Sequence, residues 1–180
     1  MTAGPTSAFP TLQTARLRLR EIVPEDAPAL LAIHGDAEAM LWFGNDPIHT
    51  LEQARGLVEA FAGWRRAAVP GTRWGLEWQG RLVGSAGLFK WNRGWASATV
   101  GYELARDVQG RGLMSEALRA LLPWGVAQMG LRRVEALVHP ENTPSLALLQ
   151  RLDFEVEGRQ RQAGAWGGQR HDLLMLGWLA

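Results

Sequence analysis

From Leu17 the chain alternates apolar and polar residues, Leu17-Arg18-Leu19-Arg20-Glu21-Ile22, as a strand with one buried face does. Pro24 breaks the alternation and opens a helix over Glu25–Ile33, which Gly35 stops. Residues 41–49 follow no period and read as irregular. Thr50 with Gln53 forms a capping box, and Leu51, Ala54, Leu57, Val58 and Phe61 then recur at helical spacing in a helix that ends before Pro70. The pattern changes there. Trp74–Trp78, Leu82–Phe89 and Ala96–Leu104 read as three strands of an antiparallel meander, turned at Gln79-Gly80 and Asn92-Arg93-Gly94. A helical period returns after Gly112, and Val134–Val138 is a short apolar strand. Thr143 caps a helix reaching Leu152, with Pro144 in its first turn. Phe154–Arg161 and His171–Leu179 close the chain as two strands joined by a loop carrying Gly164, Gly167 and Gly168.

This order implies an α+β fold whose mixed sheet has one parallel crossover, made by the helix after Gly112. Residues 1–11, with Gly4, Pro5 and Pro10, read as a flexible N-terminal tail, and 12–180 as one domain with its own core. No repeat or heptad array interrupts it.

Composition narrows the function. The net charge is +1, from 19 basic and 18 acidic residues, which leaves no broad positive field for nucleic acid. There is no cysteine, so disulfides, thiolate metal sites and cysteine nucleophiles are all excluded. No stretch approaches the roughly 18 apolar residues of a membrane span, and the first residues lack the charged leader and apolar run of a signal peptide. The expectation is a cytoplasmic protein with no membrane partner. The nine tryptophans are scattered and read as packing residues. His34, His49, His139 and His171 lack metal spacing, so no metal is expected, and there is no Gly-x-Ser-x-Gly elbow.

The chemistry concentrates at Gln109-Gly110-Arg111-Gly112-Leu113-Met114. One reading is a tight strand-to-helix turn that needs glycine freedom. A dinucleotide fingerprint is a second, with Ser115 at its third position and Glu135 for a ribose. But Glu135 begins its strand rather than ending it, and the strand before the turn belongs to a meander. A Walker loop would need Gly-Lys-Ser/Thr, which is absent. Unpaired amides and the helix dipole suit an anion at such a turn.

The six residues resemble the Gln/Arg-x-x-Gly-x-Gly/Ala motif of the GNAT superfamily of N-acetyltransferases. Gln109 and Gly112 match, and Met114 stands where Gly or Ala is usual. Five more stretches look like the RimJ/RimL branch, which acetylates protein N-terminal amines: Thr14–Arg20, Val100–Leu104, Pro140–Ser145, Leu152–Gly158 and His171-Asp172. The likeness runs from residue 12 to 179.

It implies a GNAT fold of six to seven strands flanked by about four helices, with acetyl-CoA as cosubstrate. Backbone amides of Gln109, Gly110, Arg111, Gly112, Leu113 and Met114 would hold the pyrophosphate, with the Arg111 side chain adding charge. An N–H near Leu104 would meet the oxyanion, on a strand edge that splays to receive the pantetheine arm. Asn142 would lie beside that arm and Ser145 beside the leaving thiolate. A homodimer also fits the family. Two departures stand out. Met114 should narrow the helix entrance, and Pro123 should kink the helix, at about 3 kcal/mol if unaccommodated.

Strand parity refines the roles. Ala98, Val100, Tyr102 and Leu104 share one face, and Ser97, Thr99, Gly101 and Glu103 the other. Glu103 therefore lies on the polar face just before the turn and is the candidate general base, with Glu77 as the alternative; Tyr102 falls to packing. A weak base is enough for an α-amine, whose pKa is about 7.7–8.0 against about 10.4 for lysine. Thr143 as sole cap leaves Asn142 and Ser145 free. Residues 41–49 and 162–170, with Trp42, Phe43 and Trp166, are expected to line the acceptor pocket. The expected function is direct acetyl transfer to a primary amine, foremost a protein N-terminus. A small-amine acetyltransferase, a silent acyl-CoA-binding module and a nucleotide-dependent oxidoreductase stand as alternatives.

Overall fold

The computed structural model describes residues 8–67 and 70–180. Its elements are β1 (Leu12–Gln13), β2 (Leu17–Arg20), α1 (Ala27–His34), α2 (Leu51–Trp64), β3 (Thr72–Trp78), β4 (Arg81–Asn92) and β5 (Ser97–Leu104). There follow α3 (Leu113–Met129), β6 (Arg133–Val138), α4 (Thr143–Gln150), β7 (Glu155–Trp166) and β8 (Gln169–Leu179). The strands form one sheet in the order β1-β2-β3-β4-β5-β6-β8-β7. The pairing is antiparallel everywhere except β5 with β6, which α3 connects. The expected α+β class and single parallel crossover are both present. The sheet has eight strands rather than six or seven, because Leu12 and Gln13 pair with Leu19 and Arg18 as a short edge.

Helices cover both faces of the sheet. The larger core joins α3 and α4 to the face carrying Leu17, Leu19, Trp74, Leu76 and Val100. A smaller one packs Ala27, Leu30, Ala54 and Val58 of α1 and α2 against Ile22 and Leu82. Trp74 is fully buried, edge-on to Trp124 of α3 at 4.8 Å. A buried indole N–H needs an acceptor, and that of Trp74 donates to the Pro10 carbonyl at 2.6 Å, while Phe9 packs edge-on at 5.9 Å. Residues 9 and 10 are thus pinned to the core rather than loose. The rest of the expected tail, residues 1–7, lies outside the described residues.

Most boundaries fall near their expected places, with three informative shifts. Pro24–Asp26 is a 3-10 turn and α1 starts at Ala27, because the Asp26 carboxylate accepts the Val23 N–H at 2.9 Å and binds the Arg20 guanidinium. The Thr50–Gln53 capping box of α2 is present in both directions. α3 runs unbroken through Pro123. That proline is on an exposed position, so the Arg119 carbonyl it deprives of a partner faces the solvent side. Finally, β7 and β8 extend to Trp166 and Gln169, so the expected loop over 162–170 is largely the end of a hairpin turning at Gly167-Gly168. β7 is an edge strand, mostly exposed, which is why its sequence carries no clear period of two. No helix among the described residues is long and apolar enough to cross a membrane.

Candidate active site

The parallel pair at the centre of the sheet is incomplete. β5 and β6 pair only at Ser97↔Arg133, Ala98↔Val134 and Thr99↔Glu135, yet β5 continues to Leu104 and β6 to Val138. Each keeps its other neighbour, β4 and β8 respectively. From Val100 onward the two edges diverge into an open cleft of about 860 Å³. The Ala105 N–H bonds back to Val83 on β4 at 2.8 Å. Because backbone amides alternate along a strand, the Leu104 N–H is directed at the freed edge.

The glycine turn borders this cleft. Gly110 (φ +72) and Gly112 (φ +75) are both left-handed, a conformation that costs other L-residues about 1–2 kcal/mol. Gly112 is the N-cap of α3, and no side chain caps the helix. The first-turn amides are left for an outside acceptor. The Gln109 side chain donates to the Leu104 carbonyl at 3.0 Å, tying the turn to the end of β5. Arg111 differs from expectation. Its guanidinium lies over the Trp78 ring at 5.5 Å, and its carbonyl accepts from Arg16 Nη1 at 2.9 Å. The side chain is therefore not among those that line the cleft. Arg16 also pairs with Glu116 at 2.6 Å, so the Thr14–Arg16 stretch clamps the turn from outside. Met114 at the helix entrance is 6% exposed, packs in the larger core with Leu113 and Ala117, and walls the cleft.

Asn142, not Thr143, caps α4: its Oδ1 accepts the Ser145 N–H at 3.2 Å. The amide side chain can accept there because Pro144 leaves Ser145 as the first free donor of the turn. Asn142 and Ser145 both line the cleft, but Asn142 is engaged rather than free. Tyr102 packs its ring against the larger core, as its face implies, and α4 begins so close that its hydroxyl also lies 2.7 Å from Ser145 Oγ, inside the cleft. Burial pushes the Tyr102 hydroxyl up to about 12.

On the polar face of β5, Ser97, Thr99 and Gly101 are half-buried. Glu103 is enclosed by His34 at the end of α1, Arg73 of β3 and Ser85 of β4; it is 7% exposed while still lining the cleft. Its carboxylate accepts from Arg73 Nη2 and Ser85 Oγ, and Arg73 Nε donates to Ser85 at 2.6 Å. His34 Nε2 approaches to 3.3 Å without hydrogen-bond alignment. The Arg73 guanidinium sits among the rings of Phe61 (4.9 Å), Trp64 (5.9 Å) and Phe43 (6.0 Å). Burial pushes the Glu103 carboxyl up, but Arg73 first, then His34 and Ser85, outweigh it and hold the group below the usual glutamate range. Glu103 is therefore a fixed anion. Glu77 is not a competitor: it pairs with Arg20 at 2.5 Å on β3 and is absent from the cleft wall.

The irregular segment supplies the remaining wall. Trp42 and Phe43 line the cleft. Trp42 stacks on His139 at 4.0 Å, and Trp166 stacks on His171 at 3.8 Å. Trp166 Nε1 donates to Leu41 O at 3.0 Å, and the Gly167 N–H to Asp46 Oδ1 at 2.6 Å. The hairpin tip thus buttresses residues 41–46 from behind; residues 162–170 do not themselves line the cleft.

Residues 16–155 match the family described as an acetyltransferase (GNAT) domain. The chain belongs to the GNAT acetyltransferase family. It is 31% identical over 166 residues to the uncharacterized N-acetyltransferase YoaA of Bacillus subtilis (strain 168), covering 91% of this chain and 93% of the relative. Among solved structures it resembles RimL, a ribosomal L7/L12 α-N-protein acetyltransferase in complex with coenzyme A. The TM-score is 0.83 at 25% identity, covering 94% of this chain and 98% of that one. Mycobacterium smegmatis RimJ in complex with CoA-disulfide gives 0.84 at 25% identity, covering 96% and 87%.

In this GNAT enzyme the structure brings Glu103, Leu104, Gln109, Gly110, Gly112, Leu113, Met114, Asn142 and Ser145 to one cleft. It adds residues the sequence reading missed. Arg119 and Arg151 line the cleft, are exposed, and have no side-chain partner among the described residues. Gly112, Ser115 and Arg119 lie at helical spacing on one face, a signal that was available. Arg73 is a further missed residue, and nothing local in the sequence marks it as the partner of Glu103.

Proposed function

We propose that the enzyme transfers the acetyl group of acetyl-CoA to a protein N-terminal α-amine by direct attack within the β5–β6 cleft. The observation that carries this reading is the splay itself, set beside an uncapped helix start with two left-handed glycines. An extended pantetheine arm suits the freed edge of β5, as an added strand suits any open sheet edge. A pyrophosphate suits the first-turn amides of α3. The residues present fit both. Leu104 N–H faces the edge where a carbonyl oxygen would gain charge.

The acceptor side supports a monocation with an apolar neighbourhood. The carboxylates that line the cleft are Glu38 and Glu103, and each is already paired, with Arg106 and Arg73. A polyamine would need a spare carboxylate for its second ammonium. Trp42 and Phe43 suit the first side chain of a peptide. The likeness to RimL, a ribosomal L7/L12 α-N-protein acetyltransferase, supports the same acceptor class. Glu103, held ionised, attracts the ammonium and keeps its own charge while the proton leaves to water; an α-amine near pKa 8 asks no more of it.

In thermal shift, acetyl-CoA at a hundredfold excess over Kd should stabilise the fold by about 2.7 kcal/mol, and NAD and ATP should give no comparable shift. Thiol release should then follow peptide α-amines and not polyamines. Absence of an acetyl-CoA shift overturns the reading. Turnover restricted to a small amine moves the acceptor to that class. Arg119→Ala and Arg151→Ala should each raise the KM for acetyl-CoA about threefold to fivefold at low salt, converge on wild type as salt rises, and leave kcat unchanged.

A further inference from the structure

The chain contains a single tyrosine, and it is Tyr102. Its ring packs against the larger core, and its hydroxyl makes one contact among the described residues, to Ser145 Oγ at 2.7 Å. Both residues line the cleft, and the Asn142 cap fixes Ser145 at the first turn of α4. Either hydroxyl can donate in this pair, and the chemistry decides between them. A phenol is the stronger acid, so Tyr102 donates and Ser145 accepts. The Ser145 proton is thereby released to point away from Tyr102, into the cleft.

We propose that Tyr102 is a positioning residue that directs the Ser145 hydroxyl at the thiolate leaving group, which the two stabilise as a hydrogen-bonded chain. The proposal rests on the acetyl-CoA reading above. The step balances without a proton relay. The amine nitrogen forms its bond to the acetyl carbon, the carbon–sulfur bond breaks, and sulfur leaves with the electron pair as thiolate. The amine proton leaves through water on the Glu103 side. Ser145 donates a hydrogen bond to sulfur, and Tyr102 donates to Ser145, which strengthens that bond by polarisation. Full transfer is unfavourable: a thiol ionises near 8.5, whereas burial holds Tyr102 near 12, so its proton stays on oxygen. A donor that keeps its proton at every working pH is what such a chain requires.

Tyr102→Phe keeps the ring and removes the hydroxyl. It should lower kcat about tenfold, the scale of one hydrogen bond, with the KM for acetyl-CoA and the thermal midpoint unchanged. Ser145→Ala should lower kcat by a similar factor, and Tyr102→Phe should then add nothing further, because Tyr102 acts only through Ser145. A second measurement is independent of variant stability at residue 102. Biosynthetic 3-fluorotyrosine labels Tyr102 alone. With CoA bound, its fluorine resonance should move as the CoA thiol ionises, and Ser145→Ala should abolish that movement. Full kcat in Tyr102→Phe, multiplying effects in the double variant, or a resonance indifferent to thiol ionisation in the wild-type enzyme overturns the proposal. Failure of the wild type to bind acetyl-CoA overturns the underlying reading as well; binding and turnover with an unaffected Tyr102→Phe overturns this proposal alone.

Discussion

Arg73→Met should destabilise the enzyme by about 3–5 kcal/mol, because it leaves the Glu103 carboxylate buried without its cation. For a chain of this size that lowers the thermal midpoint by roughly 10 °C. The pH dependence should also change sign. In the wild type Glu103 is depressed, so its contribution is fully present above the ordinary glutamate pKa of about 4.3 and is lost as pH falls through the folded value. In Arg73→Met burial acts unopposed by the guanidinium and raises Glu103. The variant should therefore gain stability relative to wild type as pH falls toward about 4.3. Adding Glu103→Gln should restore most of the lost stability by removing the orphan charge. It should not restore activity, since the anion that attracts the amine is gone. Chemical denaturation across pH, with kcat/KM on the same samples, checks both. Recovery of activity in the double variant would mean that Glu103 serves only the fold.

Gly112→Asp should abolish acetyl-CoA binding while leaving the protein folded. Aspartate tolerates left-handed backbone better than most residues, and a Cβ at Gly112 meets nothing closer than Arg16 Nη2 at 3.7 Å. The new carboxylate competes for the first-turn amides of α3 and repels the diphosphate. At an effective dielectric near 20, like charges about 4 Å apart cost about 4 kcal/mol, so the loss in affinity should reach about 100-fold or more. Gly112→Ala is the control: it adds backbone strain of about 1–2 kcal/mol and no charge. Thermal shift with acetyl-CoA and the midpoint without it separate affinity from stability. An aspartate variant that binds like wild type would place the diphosphate elsewhere.

The alternation at Leu17–Arg20, the Thr50–Gln53 box and the paired glycines before α3 were legible because each rests on neighbours in sequence. The same holds for the faces of β5, which parity assigned correctly to Tyr102 and Glu103. What parity could not say is what covers each face. The polar face at Glu103 is closed by His34, Arg73 and Ser85, all from earlier in the chain. Tyr102 packs as its face implies, but its hydroxyl contact was not legible because Ser145 reaches it from the start of α4, 43 residues away in sequence. Arg111 looked like a phosphate ligand until Trp78, from β3, took its guanidinium. The cap of α4 was misplaced by one residue because Asn and Thr in succession compete for the role, and only backbone geometry chooses. The splay was expected from the family alone, since divergence of two strands leaves no mark on their side-chain pattern.

The three residue pairs between β5 and β6 have a mechanical meaning. With the Arg132 and Arg133 N–H groups that donate to the Ala96 carbonyl beside them, they form, among the described residues, the backbone seam between a five-stranded leaf, β1 to β5, and a three-stranded leaf, β6 to β8. Every other strand boundary in the interior of the sheet is stitched along most of its length. The sheet is thus two leaves joined at one short weld and linked by α3, with the gap widening away from it. A ligand laid along the gap bridges both leaves. A cosubstrate bound there would hold the two leaves at one angle and so set the alignment of Leu104 on one with Ser145 beyond the other.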